Sequence, residues 1–394
     1  MNITIYPKKL SGTVRAIPSK SQAHRLLICA AFADRQTEII CPQTNQDIEA
    51  TADCLNAIGA NILRTKNGYM VQPVTALPAQ AALYCRESGS TLRFMLPICC
   101  ALGVDAVLHM EGRLPNRPLT PMWEELERMG CRLSRPTENT IRTTGRLGCG
   151  NYNIPGNISS QFISGLLFAT ALMDGSSTIT VAGKAESLPY IRMTQKALAC
   201  FGVSTENYQI CGQRPFTSPG TLTVEGDWSN AAFFLAAKAL GNSVHTHNLD
   251  SKSPQGDRQI AELLANTAEN PTISAADIPD LVPILSVFYA SRNGATITDI
   301  QRLRLKESDR VASVCKMIRA LGADAVADDT TLRIYPGRFH SCTIDAENDH
   351  RIAMSAAIAA TVSDGPVTVV GADCVAKSYP SFWEEYAHLG GHYE

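Results

Sequence analysis

The chain has 394 residues, 45% of them hydrophobic and 18% charged, with a formal net charge of −2. That length can bury more than one core, and the near-neutral balance excludes a general nucleic-acid or membrane-surface binder, so an anionic partner must be met by local clusters. The 13 cysteines are odd in number, scattered and without a Cys-x-x-Cys pair, which predicts reduced thiols in a cytoplasmic protein. No N-terminal run reads as a signal peptide, and no apolar stretch is long enough to span a bilayer.

In chain order, a short polar loop leads repeatedly into an apolar, alanine-rich helix and then a strand. The pattern opens at Ser19-Lys20-Ser21, Ser88-Gly89-Ser90, Ser159-Ser160-Gln161, Ser229-Asn230, Asp280-Leu281 and Asp349-His350-Arg351. Those starts lie 69, 71, 70, 51 and 69 residues apart. A second, more amphipathic helix follows most of them and stops at a glycine, as at Gly59, Gly130, Gly202 and Gly322, with strand-like sequence and a turn beyond. Each unit is a βαβαββ-like module of roughly 66 residues, longer than a solenoid repeat. The first helix of each is apolar nearly all round, as a helix inside a small domain should be. We therefore expect an α/β (α+β) chain of two domains with three modules each, buried helices surrounded by sheet. Residues 19–225 form one domain in this reading, and residues 1–18 with 226–394 the other. The short fourth interval predicts a module without its terminal hairpin.

Gln301–Arg310 places Arg302, Arg304, Lys306 and Arg310 with Glu307 and Asp309 at a strand-to-helix junction. Upstream, Ala295–Ile300 alternates as a strand does. Downstream, Val311, Val314, Cys315, Ile318 and Leu321 recur at helical spacing before Gly322, which makes Ser308 the expected N-cap. A helix N-terminus carries partial positive charge, so Arg310 in the first turn is unfavourable unless an anion or Glu307 offsets it. The conflict recurs. Lys20, Arg25, Arg93 and Arg351 fall in the loop or first turn of apolar helices, and Arg117 and Lys377 stand just before others. Seven such cations predict a cleft between the domains, lined by helix N-termini, that is open when empty and closes on a substrate with several negative charges.

The residues carry a resemblance to the 5-enolpyruvylshikimate-3-phosphate synthases, a family of enolpyruvyl transferases, along essentially the whole chain. Its motifs are Pro18-Ser19-Lys20-Ser21-x-x-x-Arg25, Gly112-Arg113-Leu114-x-x-Arg117-Pro118-Leu119, Ser159-Ser160-Gln161, Leu303–Arg310, Asn348-Asp349-His350-Arg351 and Ala376-Lys377-Ser378-Tyr379-Pro380. The resemblance implies a two-domain inside-out α/β barrel. It also implies transfer of the enolpyruvyl group of phosphoenolpyruvate to the 5-hydroxyl of shikimate 3-phosphate, with release of phosphate and no metal or organic cofactor. Carried over, Ser21, Arg25, Ser159, Ser160, Ser187, Asp280 and Lys306 would hold shikimate 3-phosphate. Lys20 and Gln161 would reach both substrates, and Gly89, Arg117, Arg310, Arg351 and Lys377 would hold phosphoenolpyruvate. Guanidinium forks suit carboxylate and phosphate, and glycine lets backbone approach an anion closely. Asp280 is the expected base, Glu307 the group that protonates carbon, with Lys20 or Lys377 the alternative donor. The partners implied are small molecules only, with no nucleic acid or membrane, and the expected state is a monomer.

Two departures stand out. Where the family commonly has Asn-Ala-Gly-Thr, this chain has Glu87-Ser88-Gly89-Ser90, and where it often has an asparagine near shikimate 3-phosphate, this chain has Arg302. The enzymatic rival is UDP-N-acetylglucosamine enolpyruvyl transferase, which usually carries a cysteine shortly before the arginine matching Arg117; Leu108–Asn116 contains none, and Cys149 lies far downstream. The rival from another class is a silent phosphometabolite binder. Asp280 and Glu307 speak against it, because pure anion binding would be improved by losing them.

Overall fold

Among the described residues, six helices buried along most of their length organise the fold. The computed structural model describes residues 1–212 and 215–394. The chain divides into Pro18–Glu225 and a second unit made of Met1–Ile17 with Gly226–Glu394.

In Pro18–Glu225 the inner helices are Lys20–Ala31, Gly89–Leu102 and Ser160–Ala171. Two of them touch closely at Gly165, where a Cβ would come within 2.2 Å of the Arg93 carbonyl oxygen, so no larger residue fits. Among the described residues of this unit, three sheets flank them. Gln80–Tyr84 runs parallel to Asp105–His109, which pairs antiparallel with Thr140–Gly145, itself hairpinned to Cys131–Ser134. Thr37–Ile40, Gly68–Gln72 and Asn61–Arg64 repeat that pattern, and their parallel partner is Thr221–Thr223 from the far end of the unit. The third sheet is Asn151–Pro155, Gly175–Ala182 and Gln209–Gly212.

In the other unit the inner helices are Trp228–Ala239, Val282–Ala290 and His350–Ala360, and every residue of the last two is buried. Thr272–Ser274, Ala295–Thr298, Thr331–Tyr335 and Asp324–Ala327 form one four-stranded sheet. Cys342–Asp345, Val367–Val370, Asn2–Tyr6 and His392–Tyr393 form another, with the chain's first strand inside it. The fourth module keeps only Ser243–His247 beside Ser11–Arg15, so its terminal hairpin is missing. His245 and His247 share the exposed face of that pair.

The amphipathic second helices include Gln46–Ala57, Leu188–Cys200 and Arg310–Leu321. The last ends at Gly322 in the left-handed conformation, φ 100°. Its N-cap corrects the sequence reading. Asp309, not Ser308, accepts the Ala312 N–H, at 3.1 Å, while the Ser308 hydroxyl donates to Asp349 Oδ2 at 3.2 Å. Both residues can cap; a buried carboxylate on another helix claimed the serine. Among the described residues, no helix is long and apolar enough to cross a membrane.

Candidate active site

Arg310 begins its helix with a side chain that is 0% exposed, which rules out a solvated charged turn. Its guanidinium donates in three directions: Nε to Asp349 Oδ2 at 2.9 Å, Nη1 to Asp280 Oδ1 at 2.8 Å and Nη2 to Glu307 Oε2 at 2.8 Å. Desolvation opposes the charge, yet Asp349, Glu307 and Asp280 outweigh it and raise the guanidinium's pKa. The local answer to an arginine in a first turn is thus three acids, only one of them from its own helix junction.

Asp280, on the turn before Val282–Ala290, is the hub of this cluster. Besides Arg310 it meets Arg351 Nη2 at 3.3 Å and Lys306 Nζ at 3.6 Å. Burial pushes its carboxyl up, but Arg351, Lys306 and Arg310 together hold it well below the usual carboxylate range. Lys306 is shifted down by desolvation first, with Asp280 pulling the other way. Arg351 Nη1 also donates to the carbonyls of Asp280, at 3.3 Å, and Ser229, at 3.4 Å. Lys377 is buried and donates to the Asn348 carbonyl at 3.0 Å. Asp280, Lys306, Glu307, Arg310 and Arg351 are therefore brought together, with Lys377 beside the cap of the helix that carries Arg351.

Two acids of this cluster were given no role from sequence. Asp349 caps its own helix by accepting the Arg351 N–H at 3.0 Å and at the same time grips Arg310. In the sequence Asp349 marked only the start of a module and a place in a motif. Asp257 is buried and accepts from the Ser229 hydroxyl; desolvation and then the Asp280 carboxylate push it up to about 7, against the pull of Arg351. Nothing in its sequence neighbourhood foretold this.

In Pro18–Glu225, the helix starts at Lys20, Gly89 and Ser160 carry the other candidates. Lys20 pairs with Asp47 at 2.8 Å. Arg25 is buried, with Nε on Thr194 Oγ1 at 2.8 Å, Nη1 on the Ser21 carbonyl at 2.6 Å and Nη2 on the Tyr190 carbonyl at 3.0 Å. Desolvation brings its pKa down to about 10. These bonds gather Ser21, Arg25 and the segment that opens with Ser187, a buried residue in the left-handed region at φ 54°, ψ 39°. Such a conformation in a serine is strained and is held by its surroundings.

Gly89 follows the Ser88 cap. A Cβ there would stand 2.7 Å from Arg93 Nη1 and 2.8 Å from Arg117 Nη1, so this backbone is flanked by two guanidinium groups. Arg93 Nη1 also donates to Gln161 Oε1 at 3.2 Å, and Gln161 Nε2 to Ser90 Oγ at 3.0 Å. Ser159 caps its helix through the Gln161 N–H at 3.2 Å. Gly89, Arg117 and Gln161 thus converge, joined by Arg93, whose first-turn charge was visible in sequence but not its partner. Arg302 is occupied by the Ala276 carbonyl at 3.0 Å, and Glu87 packs against Gly112.

The family model for EPSP synthase (3-phosphoshikimate 1-carboxyvinyltransferase) matches residues 5–270 and 265–386. The chain belongs to the EPSP synthase family. It is 35% identical to the 3-phosphoshikimate 1-carboxyvinyltransferase of Clostridium beijerinckii over 427 residues, covering 99% of this chain and 98% of that protein. Against the Clostridium perfringens enzyme of the same name, identity is 36% over 422 residues, with the same coverage. The fold is that of an EPSP synthase from Acinetobacter baumannii, with a TM-score of 0.81 at 24% identity, covering 100% of this chain and 99% of that one. An enolpyruvyl transferase from Streptomyces tendae shares it, with a TM-score of 0.77 at 18% identity, covering 100% and 98%.

Proposed function

We propose that this EPSP synthase family member transfers the enolpyruvyl group of phosphoenolpyruvate to the 5-hydroxyl of shikimate 3-phosphate, releasing phosphate, on the route to chorismate and the aromatic amino acids. The observation that carries the reading is the cluster in which Asp280 and Glu307 are held among Lys306, Arg310 and Arg351. A site that only bound anions would gain by losing both carboxylates, whereas proton transfer needs them.

In this reading Ser21, Arg25, Ser159, Ser160, Ser187, Asp280 and Lys306 hold shikimate 3-phosphate. Gly89, Arg117, Arg310, Arg351 and Lys377 hold phosphoenolpyruvate, and Lys20 and Gln161 serve both. Asp280 takes the proton of the 5-hydroxyl as that oxygen bonds to C2 of phosphoenolpyruvate. Glu307 delivers a proton to C3, and Lys20 or Lys377 is the alternative donor. The C2–O bond to phosphate then breaks, and the methyl group returns a proton to the carboxylate left on Glu307, restoring the double bond. The cations first hold Asp280 ionised, which makes it a weak base; the phosphates and carboxylate of the substrates offset those charges and return its basicity. The same anions compete for Arg310 and so free Glu307 Oε2 to carry a proton.

We further propose that the chain acts as a cytoplasmic monomer without metal or organic cofactor. The test of the reaction is phosphate release from phosphoenolpyruvate with shikimate 3-phosphate, set against the same assay with UDP-N-acetylglucosamine. Release with the first acceptor alone is expected; release only with the second, or with neither, overturns the reading.

A further inference from the structure

In Pro18–Glu225, three helices meet through a line of buried polar side chains that the reading above leaves unused. His24 Nδ1 lies 2.6 Å from Thr51 Oγ1, Thr51 Oγ1 lies 2.7 Å from Thr91 Oγ1, and Thr91 Oγ1 donates to Ser88 Oγ at 2.8 Å. All four residues are fully buried. The line starts on the helix that carries Lys20, Ser21 and Arg25, crosses Gln46–Ala57, and ends on the Ser88 cap immediately before Gly89.

A hydroxyl has one proton, and that orders the whole line. Thr91 gives its proton to Ser88 Oγ, or at 3.4 Å to the Asp47 carbonyl, which can only accept. With its proton on Ser88 or Asp47, Thr91 accepts from Thr51 and Thr51 accepts from His24, an order that puts the imidazole proton on Nδ1. Burial, then Lys20 and Arg25, push the His24 pKa well below 6.5, so the ring is neutral and holds the single proton this order requires. Its Nε2 is buried without a hydrogen-bond partner among the described residues. Asp47 adds a strut, because its carboxylate holds Lys20 at 2.8 Å while its carbonyl faces Thr91. Apolar side chains would fill the same space, but only hydrogen bonds give it direction.

We propose that His24, Thr51 and Thr91 are positioning residues for phosphoenolpyruvate, their one-directional hydrogen-bonded line setting where the Ser88 cap places the Gly89 backbone against Arg93 and Arg117. The inference rests on the assignment of Gly89 to that substrate. The tolerance is small: a single methyl at Gly89 would already approach both guanidinium groups within 2.8 Å. A shift of the cap therefore changes the room left for an anion.

Thr51→Val keeps the shape and breaks the line at its middle, whereas Thr51→Ser keeps the hydroxyl. In steady-state assays of the full chain, Thr51→Val should raise KM for phosphoenolpyruvate about tenfold, with KM for shikimate 3-phosphate within about twofold of wild type. Thr51→Ser should restore the wild-type value. A merely structural role would lower the melting temperature without that split. An unchanged phosphoenolpyruvate KM in Thr51→Val, or equal impairment in Thr51→Ser, overturns the proposal. If Thr51→Val does not fold, Thr91→Val against Thr91→Ser makes the same comparison at the next link. Absence of turnover in the wild type would overturn the functional reading and this one together, while wild-type turnover with an unmoved KM overturns the positioning role alone.

Discussion

Arg310 shows what a single side chain can and cannot reveal. Its sequence position is electrostatically wrong, and the correction comes from acids 30 and 39 residues away as well as from Glu307. A fully buried guanidinium is tolerable only when its donors are met, and three carboxylates meet them in three directions. Glu307 has its own test. Glu307→Gln should bind both substrates with near-wild-type affinity but lose most turnover and most solvent deuterium uptake into the methyl group of the intermediate; retention of both would pass the donor's role to a lysine, Lys20 or Lys377. Asp257 offers a pH test. Its folded pKa of about 7 lies above the unfolded 3.8, so the stability it contributes is complete below pH 3.8 and is lost as pH rises through 7. Asp280, Arg351 and Asp227 are the charged groups that act on it, and the Ser229 hydroxyl donates to it. Asp257→Asn removes this titration, so relative to wild type the variant should gain on the order of 4 kcal/mol between pH 4 and pH 8 in urea unfolding. A difference that stays flat with pH would show the carboxyl to be ionised throughout.

At the scale of elements, the repeated helices and their stops were legible because periodicity and punctuation are local. Gly322 ends its helix where the pattern places it. The start of that helix was not legible to the residue, since Ser308 and Asp309 are both capping types and only the tertiary neighbour Asp349 sorts them. Asp309→Ala should therefore cost about 1 kcal/mol of stability as a lost cap, measured by chemical denaturation. Ser308→Ala instead removes a donor from Asp349 and a partner of Ser313, which lies 2.9 Å away, so it should disturb Arg310 rather than the helix end. Equal effects of both changes on the helix would contradict this division. The missing hairpin of the fourth module was readable from spacing alone, and that sheet indeed has two strands.

At the scale of the whole molecule, the unit Pro18–Glu225 is continuous in sequence whereas the other is closed by Met1–Ile17. Asn2–Tyr6 lies inside its sheet, paired with Val367–Val370 on one side and His392–Tyr393 on the other, and Ser11–Arg15 is the partner of Ser243–His247. Removing an interior strand exposes two rows of backbone donors and acceptors and the apolar residues Ile3 and Ile5, which are buried. A fragment of residues 226–394 should therefore lack cooperative unfolding, and a peptide of residues 1–17 added in trans should restore it. Cooperative melting of the fragment alone would show that the N-terminal strands are dispensable.

What the sequence by itself determined is whatever depends on neighbours along the chain. The six apolar helices, the 51-residue fourth interval, the cations at helix starts and the order of motifs that marks the family all fall in this class. What only the tertiary structure decided is which distant groups share a buried space. Asp349 with Arg310, Asp257 beside Asp280 and Arg351, Arg93 with Gln161, and the His24–Thr51–Thr91–Ser88 line are pairings of this kind. The physical reason is that a propensity acts within a turn or two of chain, whereas a buried charge or hydroxyl is satisfied by whatever packing brings within about 3 Å, and a sequence does not state that distance.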